Sequence, residues 1–488
     1  MKKARLRFAP SPTGFLHIGS LRTVLFDYLV AKTLKGKLIL RIENTDQKRE
    51  VPGAVDGLIN ILDWVGIKID EGPHIGGKYG PYVQSQRLEI YKKYSAQLLE
   101  QGKVYRCFCS PDRLKKMREE QTTNKMPPRY DRACRDLTEN EIAKKIKSGE
   151  KFVIRQKMPL TGEVIVHDEL RGDIKFQAED LEDHILIKSD GMPTYQFAVV
   201  VDDHLMAISH VLRGDEWIPS FPKNILLYQD FGWTAPKFIH LTLTLNKTGG
   251  KLSKRQGDVA VEDYKNKGYL PEAILNFCVL LGWHPKDGQE ILSIDEMMKK
   301  FDYHDMGTSP AIFDIEKLDF FNGWYIRHMP LDKLAKLCLP FLQENLAKTS
   351  DQNKKTEKFI KQVVGLEQER LKKLSEVGEL TSFFFEEELN YNANLLIWKK
   401  MPAADVKKNL RIVIELLDKI PDSQWTDDSI EEALMSYLKA RELKVGEYLW
   451  PMRAALTGRQ ASPGPFAVAE ILGKTASLER INQAIKKL

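Results

Sequence analysis

Two short stretches, far apart in the chain, carry the residue types that meet phosphate. The first is Pro10-Ser11-Pro12-Thr13-Gly14-Phe15-Leu16-His17-Ile18-Gly19-Ser20, a Gly-containing turn that leads into a helix start near His17. A helix N-terminus offers N–H groups and a partial positive charge, which makes it a natural phosphate site. His17 in that first turn can donate to a phosphate oxygen, and Gly19 lets a nucleotide approach the backbone. Taken alone, the same residues equally describe an ordinary helix start with a solvated histidine. The pattern is neither a P-loop nor GxGxxG. The second stretch is Thr248-Gly249-Gly250-Lys251-Leu252-Ser253-Lys254-Arg255, with three cations and two glycines. Lysines on a mobile loop can meet the charge dispersed over equatorial oxygens in phosphoryl or nucleotidyl transfer. The alternative for a lone loop of this kind is a solvated basic segment.

The cysteines form a third group. There are five: Cys107, Cys109, Cys134, Cys278 and Cys338. That is too few in 488 residues for a disulfide scaffold, and a reducing cytoplasm is the expected compartment. Two thiolates at i and i+2, with a third delivered by a returning loop, can make three corners of a tetrahedral zinc site. The alternative is three ordinary thiols. Cys278 and Cys338 sit in apolar helical patterns and are expected to be packed.

The elements that must position these residues follow from hydrophobic periodicity. Residues 5–9 read as a strand. A helix from near His17 has Leu21, Val24, Leu25, Tyr28 and Leu29 on one face, and Gly36 stops it. Residues 37–42 are the next strand, which completes a βαβ unit, the building block of a parallel sheet with a nucleotide crevice. From about 80 to 190 the pattern changes to Tyr, Cys and Pro punctuation around a basic helical stretch at 113–118, which reads as an insertion. Strand and helix signals return at 194–245, with Val199-Val200-Val201 and residues 239–245 read as strands. Beyond 325 the chain reads as helical, with helices at 331–342, 358–377, 407–419 and 429–443 and a polar loop at 347–358.

Lys plus Arg is 74 and Asp plus Glu is 68, a net charge of +6, which permits a nucleic-acid partner without requiring one. No apolar run reaches the roughly 18 residues of a membrane span. The basic N-terminus has no apolar stretch behind it, so secretion is not expected.

Taken in order, the motifs are far more specific than any one alone. His-Ile-Gly at 17–19 with Lys-Leu-Ser-Lys at 251–254 resembles the paired signatures of class I aminoacyl-tRNA synthetases. Ser20 stands where the usual fourth residue is His. Flanking segments narrow the resemblance to the glutamyl-tRNA synthetases of bacterial or organellar type: Ala9-Pro10-Ser11-Pro12-Thr13-Gly14, Arg41-Ile42-Glu43-Asn44-Thr45-Asp46, Gly80-Pro81-Tyr82-Val83-Gln84-Ser85-Gln86-Arg87, Val200-Val201-Asp202-Asp203-His204 and Val211-Leu212-Arg213-Gly214-Asp215-Glu216-Trp217. Phe277-Cys278-Val279-Leu280-Leu281-Gly282-Trp283 and Ala454-Ala455-Leu456-Thr457-Gly458-Arg459 extend it over nearly the whole chain. The glutaminyl enzymes carry a Pro-Glu-Pro variant of the first turn, whereas this chain has Pro10-Ser11-Pro12.

The resemblance implies an α/β Rossmann-type catalytic core with a parallel sheet, an inserted α+β domain and an all-α C-terminal region. It implies core halves at 1–87 and 190–250, an acceptor-end-binding insertion at 88–189, a signature loop and stem-contact region at 251–325, and a helical anticodon-binding region at 326–488. The implied reaction is ATP-dependent activation of L-glutamate, with ATP as its Mg2+ complex, and transfer to the terminal adenosine of tRNA-Glu. Charging of tRNA-Gln as well, a glutaminyl enzyme and a catalytically silent tRNA-binding relative are the alternatives. A monomer is expected, without a membrane partner.

Residue roles carry over from the matched positions. Arg7 and Arg213 match arginines that hold the substrate carboxylates, as a planar guanidinium grips a carboxylate with two hydrogen bonds. Ser11, Glu43 and Tyr195 match amino-acid contacts, with Glu43 on the α-ammonium. His17, Gly19, Glu216 and Trp217 match the ATP site, and Lys251 and Lys254 its phosphate loop. Asn44 departs from the usual Asp. The cysteine trio resembles a structural zinc subdomain, with Tyr130 or Asp136 as fourth ligand. Arg370 matches an arginine that reads the anticodon.

Overall fold

The computed structural model describes residues 3–46, 49–250 and 260–488. Its contacts divide the chain into two units, Met1–Lys265 with Pro271–Ile315, and Asn266–Leu270 with Glu316–Leu488.

The first unit opens with β1 (Arg5–Phe8), α1 (Ile18–Thr33), β2 (Lys37–Leu40), α2 (Ala54–Trp64) and α3 (Leu88–Glu100). There follow β3 (Val104–Cys107), α4 (Pro111–Thr123), α5 (Glu139–Lys147), β4 (Val153–Gln156), β5 (Glu163–Asp168), β6 (Gly172–Gln177) and β7 (Ile185–Ile187). It continues through α6 (Tyr195–Leu205), β8 (His210–Gly214), α7 (Phe221–Asp230), β9 (Lys237–Leu241), β10 (Thr244–Leu245), α8 (Val261–Asn266), α9 (Pro271–Leu280), α10 (Ile294–Lys300) and β11 (Ala311–Ile312).

The strands β1 and β2 pair in parallel, Arg5 opposite Lys37 and Phe8 opposite Leu40. The strands β8 and β9 also pair in parallel, with Arg213 opposite His240. Hydrogen bonds join β1 to the start of β8: Ser209 N–H donates to the Arg5 carbonyl at 2.9 Å, and Arg5 N–H to Ser209 Oγ at 2.8 Å. The central order is therefore β2-β1-β8-β9. The helix α1 packs against β1, β2 and β8 and also against α9 and α10, so it is buried nearly all round. This goes beyond the single apolar face read from the sequence, and it buries Arg22 and Asp27 as well.

The insertion holds an antiparallel sheet in the order β3-β4-β7. Its second piece, the β5–β6 hairpin, is continuous with the core because Asp168 at the end of β5 pairs with Phe238 on β9. Thus the insertion and the nucleotide-type core share a strand edge.

Val199-Val200-Val201 lies in the helix α6, against the strand read from its β-branched run. A short apolar run does not by itself distinguish a buried strand from a buried helix. Here Val199, Val200 and Val201 are all buried, so packing outweighs the small helix penalty of β-branched residues.

The second unit is helical: α11 (Ile315–Arg327), α12 (Leu331–Lys348), α13 (Glu357–Glu367), α14 (Glu376–Thr381), α15 (Ala403–Asp418), α16 (Asp427–Ala440), α17 (Gly446–Thr457), α18 (Pro465–Leu472) and α19 (Lys474–Lys487). The single helix read at 358–377 is two, α13 and α14. The Gln368 side chain donates to the carbonyls of Ile326 and Met329 at 2.9 and 2.8 Å, which anchors the chain where it leaves the helix. The helix α12 also runs on to Lys348, into the stretch read as loop. Among the described residues, no helix is long and apolar enough to cross a membrane.

A buried ion pair fastens α6 to α3 and the segment before it. Asp202 accepts from Arg87 Nε at 2.7 Å, Gln84 Nε2 at 3.0 Å and Tyr91 Oη at 2.8 Å. Removing the anion alone strands the Arg87 cation. We expect Asp202→Ala to cost about 3–5 kcal/mol, read as a lower urea midpoint, and Arg87→Leu in the same chain to recover part of it.

Candidate functional site

The residues expected to hold the amino acid come together at the C-terminal ends of the central strands. Arg7 lies near the end of β1, Glu43 just beyond β2, Arg213 on β8, and Tyr195 at the start of α6. Arg7 and Arg213 are 4% and 6% exposed, and Glu43 is 6% exposed, so charges of both signs lie inside the protein. Such charges persist only when paired. Arg7 Nε donates to Asp203 at 3.1 Å; Asp203 also accepts from Arg41 Nη1 at 2.7 Å; Arg41 Nη2 donates to Glu43 at 3.0 Å. A continuous chain Arg7–Asp203–Arg41–Glu43 results. Burial is the largest influence and would lower Arg7, but Asp203, Tyr195 and Glu43 together outweigh it and hold the guanidinium above its ordinary value. Burial pushes the Glu43 carboxyl up against the pull of Arg41 and Arg7.

Arg213 differs. Its Nε donates to His240 Nε2 at 3.0 Å and its Nη1 to Asn224 Oδ1 at 2.9 Å, but Nη2 is buried with no hydrogen-bond partner. With neutral acceptors only, burial draws Arg213 below its ordinary value. Among the described residues, no carboxylate pairs with this buried cation. Ser11 is exposed on the turn after β1, beside the same strand end.

Sequence reasoning assigned no role to Arg41, Asp203, His240 or Asp168. A signal for the first two was present: Arg41 interrupts the apolar strand 37–42, and Asp202-Asp203 end an apolar run, so both put charge where burial was expected. Asn44, in place of the usual Asp, is 7% exposed and closes a loop: its Oδ1 accepts from Ser85 N–H at 2.9 Å and its Nδ2 donates to Ser85 Oγ at 3.0 Å.

The phosphate end is built on the turn before α1. His17 is the N-cap of α1, and its Nδ1 accepts from Gly19 N–H at 3.0 Å. The N–H groups of Ser20 and Leu21 donate to the His17 carbonyl, both at 2.9 Å. The N–H groups of Gly19, Ser20 and Leu21 are therefore engaged within the turn. A Cβ at Gly19 would come within 3.3 Å of His17 Nδ1, so glycine there allows the histidine cap. The turn, Ser20, Ile42 and one face of α2 line a cleft of about 240 Å³. Trp217 packs on Tyr195 with ring centroids 4.5 Å apart, which joins an expected nucleotide contact to an expected amino-acid contact. Glu216 folds back over Gly214, whose missing side chain leaves the space: a Cβ there would lie 1.9 Å from Glu216 Oε2. Lys251 and Lys254 lie outside the described residues.

The metal candidates also meet. The sulfurs of Cys107, Cys109 and Cys134 lie within 4.8 Å of one another. Cys109 and Cys134 are 3.5 Å apart, and the Tyr130 oxygen lies 3.2 Å from Cys107 Sγ and 3.6 Å from Cys109 Sγ. A tetrahedron with Zn–S of about 2.3 Å and Zn–O of about 2.0 Å needs S···S near 3.8 Å and S···O near 3.5 Å. The donor set fits a zinc ion, with Tyr130 at the fourth corner. Asp136 is exposed and does not join the group. Burial, together with the neighbouring sulfurs, pushes the Cys109 thiol up to about 11, a repulsion that a bound cation relieves. Beside this cluster a groove of about 1220 Å³ carries Phe108 and Phe152 with Lys115, Arg118 and Lys151, an aromatic and basic lining.

In the helical unit, Arg370 lies in the turn after α13, not on a helix, and its Nη1 donates to both oxygens of the buried Glu367 at 3.0 and 2.8 Å. Burial pushes Glu367 up to about 7 against the pull of Arg370 and Arg459.

Comparison with known proteins agrees in sequence and in fold. The family described as tRNA synthetases class I (E and Q), catalytic domain, matches residues 3–320, and the anticodon binding domain family matches 333–485. A glutamate–tRNA ligase of Clostridium botulinum is 46% identical over 488 residues, covering 100% of this chain and 99% of that one. One of Clostridium kluyveri is 44% identical over 490 residues, covering 100% and 99%. A crystal structure of a glutamate tRNA ligase from Elizabethkingia meningosepticum, in complex with its amino acid, superposes with a TM-score of 0.90 at 36% identity, covering 99% of each chain. From Arg7 on the first strand to the helical unit, this chain belongs to the glutamate–tRNA ligases, in the class I aminoacyl-tRNA synthetases.

Proposed function

We propose the following division of labour for the ligation. An α-carboxylate oxygen of L-glutamate attacks the α-phosphorus of ATP, supplied as its Mg2+ complex, and pyrophosphate leaves. The 2′-hydroxyl of the terminal adenosine of tRNA-Glu then attacks the carbonyl carbon of the mixed anhydride, and AMP leaves. No protein nucleophile takes part; the chain contributes position and charge. Arg7 and Arg213 hold the substrate carboxylates, Glu43 takes the α-ammonium, and Ser11 and Tyr195 complete the amino-acid pocket. His17, Gly19, Glu216 and Trp217 serve ATP, and Lys251 and Lys254 meet the phosphates in the transition state.

The single observation that carries this reading is the buried, carboxylate-free guanidinium of Arg213 beside the balanced Arg7–Asp203–Arg41–Glu43 chain. Arg7, Arg41 and Arg213 against Asp203 and Glu43 leave one positive charge in excess. Glutamate, with two carboxylates and one ammonium, brings one net negative charge.

In this reading the insertion at 88–189 receives the acceptor end of the tRNA, where the groove with Phe108 and Phe152 suits unstacked bases and its lysines suit phosphates. Cys107, Cys109, Cys134 and Tyr130 hold a structural zinc that ties the loop ends there. The helical region at 326–488 takes the anticodon, with Arg370 as a contact. The enzyme works as a monomer in the cytoplasm.

Aminoacylation with purified tRNA-Glu and tRNA-Gln, each given glutamate and glutamine separately, tests the whole. We expect glutamate on tRNA-Glu and glutamine on neither. No glutamate on either tRNA overturns the reading, and glutamate on tRNA-Gln assigns relaxed anticodon reading. For the loop, we expect Lys254→Ala to slow adenylate formation by about a hundredfold or more while leaving glutamate binding nearly unchanged, since its charge acts in the transition state. Loss of both to the same degree argues against that role. For the metal, the double variant Cys107→Ser/Cys109→Ser is expected to lose zinc in elemental analysis of the purified protein. Undiminished zinc sinks the assignment.

A further inference from the structure

Behind Arg213 lies a buried pair that the reaction itself does not call for. His240 is fully buried on β9, directly across from Arg213 on β8, so both side chains emerge on one face of the sheet. Its ring meets two partners. Nε2 lies 3.0 Å from Arg213 Nε, and Nδ1 lies 2.7 Å from Asp168 Oδ2. A guanidinium only donates, so His240 Nε2 is unprotonated and accepts. The ring proton therefore sits on Nδ1 and is donated to Asp168.

Asp168 is itself fully buried and fixed from several sides. Its Oδ2 also accepts from His240 N–H at 2.9 Å, and its Oδ1 from the N–H groups of Leu170 and Arg171, both at 3.0 Å. Burial alone would raise this carboxyl, but the ring and the backbone donors outweigh it and hold it below its ordinary range. The ionised Asp168 thus sets one tautomer of His240, and that tautomer sets the Nε edge of Arg213. Asn224 sets a second edge, and its own amide is held by donation to Gln196 Oε1 at 2.6 Å. The rings of Phe221 and Phe238 lie 5.5 and 5.1 Å from the guanidinium carbon. Of the three guanidinium nitrogens, Nη2 has no hydrogen-bond partner among the described residues, and Tyr195 lies near the group.

The contrast with Arg7 shows what the histidine is for. Arg7 Nε is held by a carboxylate, Asp203, which fixes its direction and also offsets its charge. At Arg213 the carboxylate stands one imidazole ring further away, and a neutral nitrogen makes the contact. Orientation is kept, and the positive charge is left for the ligand.

We propose that His240, locked by Asp168, is a positioning and specificity-determining residue. It fixes Arg213 so that Nη2 faces the side-chain carboxylate of the amino acid, and, being neutral, it preserves the charge that separates a carboxylate from an amide. The proposal rests on the assignment of Arg213 to a substrate carboxylate. A ligand with a side-chain amide gains no charge interaction at Nη2 and leaves a buried cation unbalanced, so glutamine is rejected.

The test uses the full-length enzyme in amino-acid-dependent pyrophosphate exchange, with glutamate and with glutamine. His240→Asn keeps a donor for Asp168 but is too short to reach Arg213, and His240→Leu removes both contacts. His240→Gln places an amide oxygen near the former Nε2. We expect the Asn and Leu variants to raise the KM for glutamate about tenfold or more, with kcat and the KM for ATP nearly unchanged, because binding common to ground and transition states is lost. We expect His240→Gln to recover most of that loss, and the preference for glutamate over glutamine to fall only in the variants without an acceptor.

A merely structural histidine predicts lower stability and lower kcat, with no distinction between Asn and Gln; that pattern, or an unchanged KM for glutamate in the Asn variant, overturns the proposal. Arg213→Lys is measured alongside. If its KM for glutamate is unchanged, the reading of Arg213 itself fails. If it rises while His240→Asn does not, only the role of His240 fails. Should the Asn and Leu variants not fold, His240→Gln decides: a KM near that of the unaltered enzyme supports the proposal, and one near that of Arg213→Lys overturns it.

Discussion

The structure depends on keeping arginines charged where water does not reach them. A buried lysine can neutralise itself by losing a proton and a buried carboxyl by keeping one, but a guanidinium keeps its charge and is best buried beside an anion. Arg41 is fully buried and sits between Asp203 and Glu43. Arg7 shares Asp203. Arg87 has Asp202. These partners come from β1, the segment after β2, the segment before α3, and α6, so the charge balance and the strand order specify each other. Asp27 on α1 shows the other outcome: it is fully buried, neither carboxyl oxygen has a hydrogen-bond partner, and burial pushes it well above the ordinary carboxylate range. A carboxyl can escape the constraint by holding its proton, which is why the paired anions are where the arginines are.

What the sequence disclosed follows the range of each interaction. The βαβ start, the turn before His17 and the cysteine trio are local or carry a spacing rule, and each could be read directly. Val199-Val200-Val201 went wrong because a three-residue apolar run has no period, and its helical state is set by burial beneath α7 and against the sheet. The long helix at 358–377 failed for a related reason: Gln368, at its interruption, reaches carbonyls at and just beyond the end of α11. Arg7 and Asp203 are far apart in the chain, as are Arg213, His240 and Asp168. No window of sequence contains such a pair, and only a charge inside an apolar stretch, as at Arg41, hints that a partner exists.

The insertion shows the same dependence on long-range closure with softer chemistry. Cys107 ends β3, Cys109 follows it, and Cys134 returns with Tyr130 one helical turn earlier in number. The spacing foretold three sulfurs. The sequence left the fourth corner open between Tyr130 and Asp136, and in the structure it is Tyr130 that turns toward the sulfurs. Arg155 lies 3.9 Å from the centre of the Tyr130 ring, on its face, which holds the phenol in that direction while Asp136 stays in solvent.

Two histidines in the catalytic unit are each committed to one tautomer by a neighbour, with opposite results. At His17, Gly19 N–H points into Nδ1, so the neutral ring carries its proton on Nε2 and is a donor there, which is the state the proposed ATP contact needs. The backbone N–H that an anion at a helix N-terminus would take is used to orient the ring instead, and the donor is thereby moved outward from the helix to the side chain. At His240, Asp168 takes the Nδ1 proton, and Nε2 is an acceptor for Arg213. Exchanging the two environments would reverse both: His17 would present an acceptor at Nε2, and His240 would present a donor to a guanidinium. Glycine at 19 and aspartate at 168 are therefore as much a part of the site's chemistry as the rings they orient.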